Sequence, residues 1–334
     1  MNEISYNNYS SPSPKRIVWM DWAKAIGIFL VVLGHMRVLH GKPLIYMFHM
    51  TYFFILSGFL FKRKSFKKEF SRSVNSLLIP YLCFNTLLLL VAFVVGDFEW
   101  NMIQKNFLCN YVFPVRYFSP LWFLVSLFIM RIVCSLVNER YYGLLAVCTI
   151  LISIILFYTH HLPLDGEPDY FQWATTCICT PSFVFGYYLN RNNWLDIPNK
   201  VHLSIIRNGF IFMLFAGAVI IGKFNGRVNV FTCAVGHDIL LYYGVSFIMS
   251  YIIMYYISDI CTRNNKYIEI ISTGTILILA LHVAMIDGIS FGIQMRSWSS
   301  MLLAIVIMAI SSCLISFSIK YFPFLLGKKT NRII

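Results

Sequence analysis

Charged residues are scarce in this chain of 334 residues. Asp, Glu, Lys and Arg make up 12% of it, whereas a soluble domain carries about a quarter. Apolar and aromatic residues make up 58%, and the mean hydropathy is +0.70. No polar stretch between the apolar runs is long enough for a soluble domain, since none exceeds about 25 residues. These features exclude a water-soluble enzyme and predict an integral membrane protein.

Several motifs that mark well-known chemistry are also absent. The chain has no Walker, GxGxxG, GxSxG or HExxH pattern, so the usual marks of NTPases, dinucleotide-binding folds, serine hydrolases and zinc proteases are missing. Its nine cysteines are scattered, and Cys177 and Cys179 lack the partner spacing of a zinc site. No metal is therefore expected. The cysteines are interpreted as packing residues, with a disulfide between Cys109 and Cys233 as the less favoured alternative.

Acidic residues are few as well. The chain has 14 Asp and Glu against 27 Lys and Arg, a formal net charge of +13. In a soluble protein this balance would suggest a nucleic-acid partner. In a multi-pass chain it has another cause, because cytoplasmic loops collect Lys and Arg. No nucleic-acid partner is therefore expected.

Apolar runs of about 18 residues predict an all-α fold, a polytopic transmembrane helical bundle of about ten spans. The predicted helices cover residues 17–38, 43–61, 77–96, 119–137, 142–159, 172–189, 207–222, 237–257, 269–289 and 299–320. They form one domain over residues 16–322, between a disordered cytoplasmic tail (1–15) and a basic cytoplasmic tail (323–334). No internal repeat is visible, which excludes a solenoid and does not support a repeat-built transporter.

An even number of spans puts both termini on one side of the membrane. With the N-terminus in the cytoplasm, 18 basic residues fall on the cytoplasmic side and seven (37, 42, 105, 116, 223, 227 and 296) on the other. Because Lys and Arg are enriched in cytoplasmic loops, this ratio predicts that both termini are cytoplasmic.

The first predicted helix carries a stripe of ionisable residues on an otherwise apolar surface. At about 100° per residue, the step from Lys24 to His35 ends close to whole turns, so the two side chains share a face, and Asp21 lies beside them. The step is about 16 Å long, roughly half of the hydrocarbon thickness. The stripe therefore predicts a polar path into the membrane, ending at a histidine suited to accept a proton. An interfacial Asp21–Lys24 ion pair between Trp19 and Trp22 is the alternative.

Two further histidines are predicted inside helices. His49 lies near the outer end of the second helix, one short loop from His35, so the two rings can converge. His282 in the ninth helix is a candidate for the same cavity or for the acceptor, with a structural core histidine as the alternative. Ser57 is another cavity candidate, although the Ser57–Gly58 pair is more typical of close helix packing.

A basic run follows the second helix and contains Lys62, Arg63, Lys64, Lys67, Lys68 and Arg72. These side chains supply charge and phosphate donors for a polyanionic cytosolic ligand such as coenzyme A. Topology and anionic lipid headgroups are the alternative. Trp122, at the start of the fourth helix, is interpreted as an interfacial anchor or as a platform for donor binding.

In this order, these segments resemble the membrane acyltransferase 3 family, bacterial multi-pass enzymes that O-acylate sugars and polysaccharides. The segments are DWAKAIGIFLVVLGH (21–35), FHMTYFFILSGFLF (48–61), IPYL (79–82), PLWFL (120–124) and GTILILALH (274–282). The resemblance implies ten helices, with a basic residue and a histidine eleven apart in the first helix that serve donor use and catalysis. They correspond to Lys24, where the family usually has Arg, and His35. His49 and His282 match histidines of the second and ninth helices.

The segment after Trp122 lacks the Glu-containing continuation found in one large branch of the family. The chain therefore looks closer to the branch that resembles fucose O-acetylases and enterobacterial-antigen-type acetyltransferases. The resemblance implies an enzyme of the bacterial inner membrane that moves acetyl from cytosolic acetyl-CoA to a hydroxyl of a cell-envelope glycan or lipid-linked sugar.

The resemblance also implies roles for single residues. His35, helped by His49, is expected to act as general base on the hydroxyl, and Lys24, held by Asp21, to bind the donor. Expected partners are membrane lipids, acetyl-CoA and the carbohydrate acceptor. The alternative is a transporter or flippase for a lipid-linked glycan that uses the same stripe as a proton or substrate path. A scaffold for envelope synthesis is a third hypothesis, which leaves the intramembrane histidines unexplained.

The predicted orientation can be tested by labelling single cysteines in a background without the native ones. Asp165→Cys is expected to react with a membrane-impermeant maleimide in intact cells, and Phe66→Cys only after permeabilisation. The physical reason is the excess of basic residues, 18 against seven, on the predicted cytoplasmic side. The reverse labelling pattern would contradict this orientation.

Overall fold

The computed structural model describes residues 16–96, 98–100, 103, 120–163, 169–200, 204–290 and 296–328. The α-helices are α1 Val18–His35, α2 Lys42–Phe59, α3 Phe66–Ser73, α4 Ile79–Val95, α5 Trp122–Leu136, α6 Tyr142–Tyr158, α7 Trp173–Arg191, α8 Ser204–Asn225, α9 Ile239–Ile260, α10 Lys266–Thr273, α11 Thr275–Ile289 and α12 Ser297–Tyr321. Two short antiparallel strands, β1 Val228–Asn229 and β2 Ala234–Val235, are the only β-structure within these ranges. The prediction of an all-α bundle is confirmed.

The ends of the chain are described only in part. Residues 1–15, predicted as a disordered tail, lie outside the described residues, as does Cys109. The segment predicted as a C-terminal tail begins with a 3₁₀ helix, Pro323–Leu326, in which Leu326 is buried. Gly327 follows with a φ of +67°, and a Cβ at this position would lie 2.5 Å from the carbonyl oxygen of Ser76.

Each of the ten predicted helices has a counterpart, but two of them are less regular than predicted. The third begins early, at Phe66, and contains a π-helical turn at Val74–Leu78 between α3 and α4. This turn precedes Pro80, which has no amide hydrogen to donate to the carbonyl of Ser76. The ninth is bent by 82° at Gly274, between α10 and α11.

The number of membrane crossings is not confirmed. Within the described ranges, six helices are long and apolar enough to cross a membrane, or seven if the bent pair α10–α11 is one span. Neither α2 nor α7 is among them. Both helices are largely buried and carry Thr, Tyr and Gly among their buried residues. A helix enclosed by other helices does not need a fully apolar surface, so hydropathy underestimates it.

The described loops gather at two ends of the bundle, named here the Asp21 end and the histidine end. At the Asp21 end, Trp19 near the start of α1 contacts Phe59 at the end of α2, with ring centroids 5.2 Å apart. At the histidine end, the rings of His35 and Tyr46 lie 6.0 Å apart where α1 ends and α2 begins. Because Arg63 Nε donates to the carbonyl of Val137 at 3.1 Å, the basic run and the end of α5 lie at the Asp21 end.

The closest helix contact in the described bundle joins α2 to α7 through two glycines. A Cβ at Gly58 would lie 1.8 Å from the carbonyl oxygen of Phe183, and a Cβ at Gly186 would lie 2.0 Å from that of Ile55. The two helices therefore touch through their backbones, as small residues allow in membrane proteins. This contact places Ser57 beside a packing glycine.

Adding one methyl group at this crossing should destabilise the bundle. Gly58→Ala or Gly186→Ala forces the two backbones apart, at a cost of about 1–3 kcal/mol or more. The matched control is Gly217→Ala in α8, where a Cβ meets nothing within 4 Å, and there the better helix propensity of Ala should stabilise by up to about 1 kcal/mol. Thermal unfolding of the purified proteins in detergent, followed by size-exclusion chromatography, measures both effects. Equal melting temperatures for the three variants would contradict the contact.

Candidate active site

Three histidines from three helices meet at the histidine end. His35 ends α1, His49 lies two turns into α2 and His282 lies in the middle of α11. The ring centroids of His35 and His282 are 4.8 Å apart, and those of His35 and His49 are 6.5 Å apart. Tyr46, one turn before His49, has its ring 5.0 Å from that of His49. The cluster thus joins residues that are up to 247 positions apart in the sequence.

Each of the three imidazoles is oriented by its own helix. The Nδ1 atom lies 2.9 Å from the carbonyl oxygen of Val31 in His35, 2.8 Å from that of Ile45 in His49 and 2.8 Å from that of Ile278 in His282. A carbonyl oxygen can only accept a hydrogen bond, so Nδ1 must be the protonated nitrogen of each ring. In the neutral rings Nε2 therefore keeps its lone pair, and this is the atom that can accept a proton.

A recess with an empty volume of about 560 Å³ adjoins this cluster. His35, His49, Tyr46 and Trp122 line it, together with Phe231 and the neighbouring residues of the segment that follows β1. Of the three histidines, His35 is the most exposed, whereas His49 and His282 are buried. His282 is not among the residues that line the recess.

His282 occupies a place behind His35. Its side chain is fully buried, and its Nε2 atom has no hydrogen-bond partner within the described part of the chain. An unpaired polar atom in a protein interior is costly, and such atoms deserve a functional explanation. The nearest aromatic neighbour in the described cluster is the His35 ring, at 4.8 Å.

Trp122 lies in the wall of the recess and not beside the basic run. Its side chain is buried and stacks on Phe231, with ring centroids 6.1 Å apart. Helix α5 begins at Trp122 at the histidine end and runs to the Asp21 end. The basic side chains predicted to bind the donor, Lys62, Arg63, Lys67, Lys68 and Arg72, are exposed at that opposite end. The structure therefore groups Trp122 with the histidines and separates it from the basic run.

At the Asp21 end, Asp21 is engaged by residues other than Lys24. It accepts hydrogen bonds from Arg16 Nε at 2.5 Å and from Ser272 Oγ at 2.6 Å. Arg16 also pairs with Glu269, and its hydrogen bond to Asp21 raises the pKa of the guanidinium above its ordinary value. Lys24 is half-buried and has no hydrogen bond or ion pair with the described residues. Asp21 therefore does not hold Lys24 through a direct ion pair.

An apolar chamber lies between Lys24 and the histidines. Its empty volume is about 300 Å³, and Ile28, Met50, Phe123 and Thr275 are among its lining residues. Ile28 is one helical turn beyond Lys24, and Met50 also lines the recess. The chamber therefore occupies the middle of the path that the stripe on α1 marks out.

Ser57 is the last of the predicted site residues, and the structure also brings residues to the site that the sequence analysis does not name. Ser57 is half-buried and does not line the recess. Tyr46 was open to prediction, because it lies one turn from His49 on the same face of α2. Ser272 and Phe231 were not, because only the tertiary fold brings them to the site. No group of three His, Cys, Asp or Glu side chains within the described ranges is arranged to hold a metal ion.

Comparison with known proteins gives one result. Searches of curated proteins and of solved structures find no match. A family model described as an acyltransferase domain matches residues 17–321, nearly the whole chain. The match includes α1, α2 and α11, which carry the three histidines. The chain therefore belongs to the acyltransferase 3 family.

Proposed function

We propose that this protein is an O-acetyltransferase of the bacterial inner membrane, with both termini in the cytoplasm. It takes acetyl from cytosolic acetyl-CoA and transfers it to a hydroxyl of a cell-envelope glycan or a lipid-linked sugar. The observation that carries this proposal is the histidine cluster, in which His35 and His49 line a recess at the far end of the stripe on α1 and each bonds through Nδ1 to its own helix. Family membership supports the acyltransferase chemistry.

The transfer step follows from the tautomer of His35. The acceptor hydroxyl lies in the recess and donates its proton to Nε2 of His35, while its oxygen attacks the thioester carbonyl carbon. The C–S bond breaks, an O–C bond forms, and the CoA thiolate takes the proton from the imidazolium. A general base of this kind contributes about 10²- to 10⁴-fold in rate. His35 is assigned this role because it is the most exposed of the three rings.

His49 and His282 support this step from two sides. His49 lines the recess and is the second acceptor for the hydroxyl proton. His282 is buried against His35, and its ring fills the space behind the base. Positioning of this kind matters because a displacement of about 1 Å at the reacting atoms can cost about 100-fold in rate.

The donor approaches from the Asp21 end. Lys24 is the half-buried cation between the Asp21 end and the apolar chamber, and we assign it to a phosphate or carbonyl oxygen of the donor. We assign the pantetheine arm to the side lined by Ile28 and Met50, since Met50 also lines the recess and this side leads toward it. The exposed basic run at the Asp21 end supplies further phosphate contacts.

A transfer assay tests the function against the flippase alternative. Purified full-length protein is incubated with acetyl-labelled CoA and candidate envelope glycans, and labelled product and free CoA are measured. Label transfer with release of CoA is the expected result. Movement of a lipid-linked glycan across vesicles without label transfer would show a flippase in place of the enzyme. The described ranges contain one bent helix pair, α10–α11, and not the paired broken helices typical of transporters.

Replacement of the proposed base, His35, should lower the rate of acetyl transfer without unfolding the protein. His35→Gln is expected to lower kcat by at least about 100-fold, because the amide cannot accept the proton. The melting temperature should stay near that of the unchanged protein. The matched control is His40→Gln, since His40 is exposed at the same end and does not line the recess. Retention of more than about a tenth of the activity in His35→Gln would remove the general-base assignment.

Lys24 can be tested through its charge. Lys24→Arg should keep most of the activity because it keeps the cation, whereas Lys24→Met should raise the KM for acetyl-CoA, lower kcat, or do both. If Lys24 only neutralised Asp21, the double variant Asp21→Asn with Lys24→Met would recover activity. We expect no recovery, since Arg16 and Ser272 already engage Asp21. Recovery in this double-mutant cycle would remove Lys24 from the site.

A further inference from the structure

A second cavity opens at the histidine end, and basic side chains line it. Lys42 and Tyr46 belong to α2, Lys223 lies near the end of α8, and Arg227 and Asn229 belong to the turn and strand that follow. The empty volume is about 1350 Å³. No Asp or Glu is among the described residues that line it. It is named here the cationic cavity.

Membrane topology does not explain these charges. The predicted orientation leaves seven basic residues on the side of the membrane where the histidine end lies, and three of the seven line the cationic cavity. Loops on the non-cytoplasmic side carry few Lys and Arg. Three cations that collect around one cavity on this side therefore call for a local reason.

Close packing of α8 against α2 brings the cations together. Gly222 lies so near α2 that a Cβ would approach Met47 Sδ to 2.7 Å. Gly226, with a φ of +80°, turns the chain after α8 and would place a Cβ 2.8 Å from Nε2 of His237. Positive φ favours glycine, since other residues are strained there. These two glycines place Lys223 and Arg227 on either side of the turn, opposite α2.

Hydrogen bonds fix the segment that carries Arg227. The buried side chain of Asn225 donates to the carbonyl of Val235 at 2.9 Å and accepts from the amide of Asp238 at 2.8 Å. Asp238 in turn caps α9 and accepts from Tyr158, and the hydrogen bond from Tyr158 is the main reason that the pKa of this carboxyl is below its ordinary value. The turn and β1–β2 are therefore held at both ends.

Lys42 is also positioned by a hydrogen bond and keeps two N–H donors for a ligand. Its Nζ donates to the carbonyl of Met36 at 3.0 Å and lies 5.7 Å from the centre of the Tyr46 ring. An ammonium group has three N–H donors, so this contact positions it and leaves two donors. Phosphates and carboxylates are the groups that such donors bind most strongly.

The cationic cavity adjoins the histidine recess directly. Tyr46 and Asn229 line both spaces. The Tyr46 ring is 5.0 Å from that of His49 and 6.0 Å from that of His35. A molecule with an anionic group against Lys42 can therefore extend past Tyr46 and present its next polar group to the histidines.

We propose that the cationic cavity holds an anionic group of the acceptor, a phosphate, diphosphate or carboxylate, while a hydroxyl of the same molecule lies at His35. This inference rests on the proposed acetyl transfer and narrows its acceptor to glycans that carry such a group. The anionic group fixes the molecule, and the attack on the thioester takes place beyond Tyr46. Neutral glycans lack the charged contacts and bind weakly.

Binding is measured first, without acetyl-CoA, so that the result does not depend on transfer. The purified full-length protein, in phosphatidylcholine nanodiscs, is titrated with octyl glucuronide and with octyl glucoside as the neutral match. At least about tenfold tighter binding of the glucuronide is expected, the range of hydrogen bonds to charged groups. The double variant Lys42→Met with Arg227→Gln should abolish this preference. The control Arg37→Gln removes a charge at the same end, outside the cavity, where Arg37 pairs with Asp287, and should keep it.

Equal binding of the two glycosides, or a preference that survives in the double variant, would overturn the inference. A lipid headgroup is the other source of the same chemistry. If phosphatidylglycerol in the nanodiscs displaces the glucuronide from the unchanged protein, the cavity is a lipid site and the inference fails. Preserved binding in such nanodiscs supports an acceptor site.

Transfer is measured second, with a polyprenyl diphosphate-linked hexose and the two glycosides as acceptors. The anionic acceptors should show kcat/KM values at least about tenfold above that of octyl glucoside, and the double variant should lose this through KM for the acceptor alone. Charge-selective binding without transfer to any acceptor would contradict the proposed function but leave the anion site. Transfer that is equal for neutral and anionic acceptors would contradict the anion site but leave the function.

Discussion

The backbone contact between α2 and α7 is the constraint on which the geometry of the site depends. Gly58 and Gly186 let the two helices approach until only a glycine fits at either position. This contact holds α2 in the middle of the bundle, and α2 carries both His49 and Tyr46. A helix shifted by the width of a methyl group would move these rings by about 1 Å or more, and a displacement of this size at reacting atoms can cost about 100-fold in rate. Packing at the Asp21 half of α2 thus fixes the position of His49 and Tyr46 at its other half.

The orientation of each histidine ring is set within its own helix, so the tertiary fold contributes only the distances between the three rings. Each ring bonds to the carbonyl four residues earlier, so its tautomer is decided within one turn of helix. The packing of α1, α2 and α11 against one another then sets how far apart the rings lie. Because Nδ1 is the bonded atom in all three, His35 and His49, which line the recess, can present their Nε2 acceptors to it and no ring N–H group that would compete for the hydroxyl.

The sequence predicts most of what lies along single helices and little of what joins them. The common face of Lys24 and His35 follows from helical spacing, and the approach of His49 to His35 follows from a loop of six residues between α1 and α2. The partners of Asp21 do not follow, since Ser272 is 251 positions away. Donor binding by Trp122 conflicts with the predicted spans themselves, since they put the start of the fourth helix on the side opposite the basic run, and Trp122 indeed lies with the histidines. Apolar runs also predict α2 and α7 as helices, but hydropathy alone does not decide whether these two enclosed helices cross the membrane.

The hairpin of β1 and β2 forms a wall of both spaces at the histidine end, yet Asn225 ties it mainly to its own flanking residues. The buried valines of the hairpin pack into the bundle, whereas Asn229 and Phe231 are half-buried and line these spaces. These two positions can change without disturbing the helices that bear the three histidines. Among descendants of one ancestral chain, ligand preference can therefore diverge through this loop while the reaction itself is conserved. Evolution can in this way separate the choice of molecule from the chemistry performed on it, within a single helical bundle.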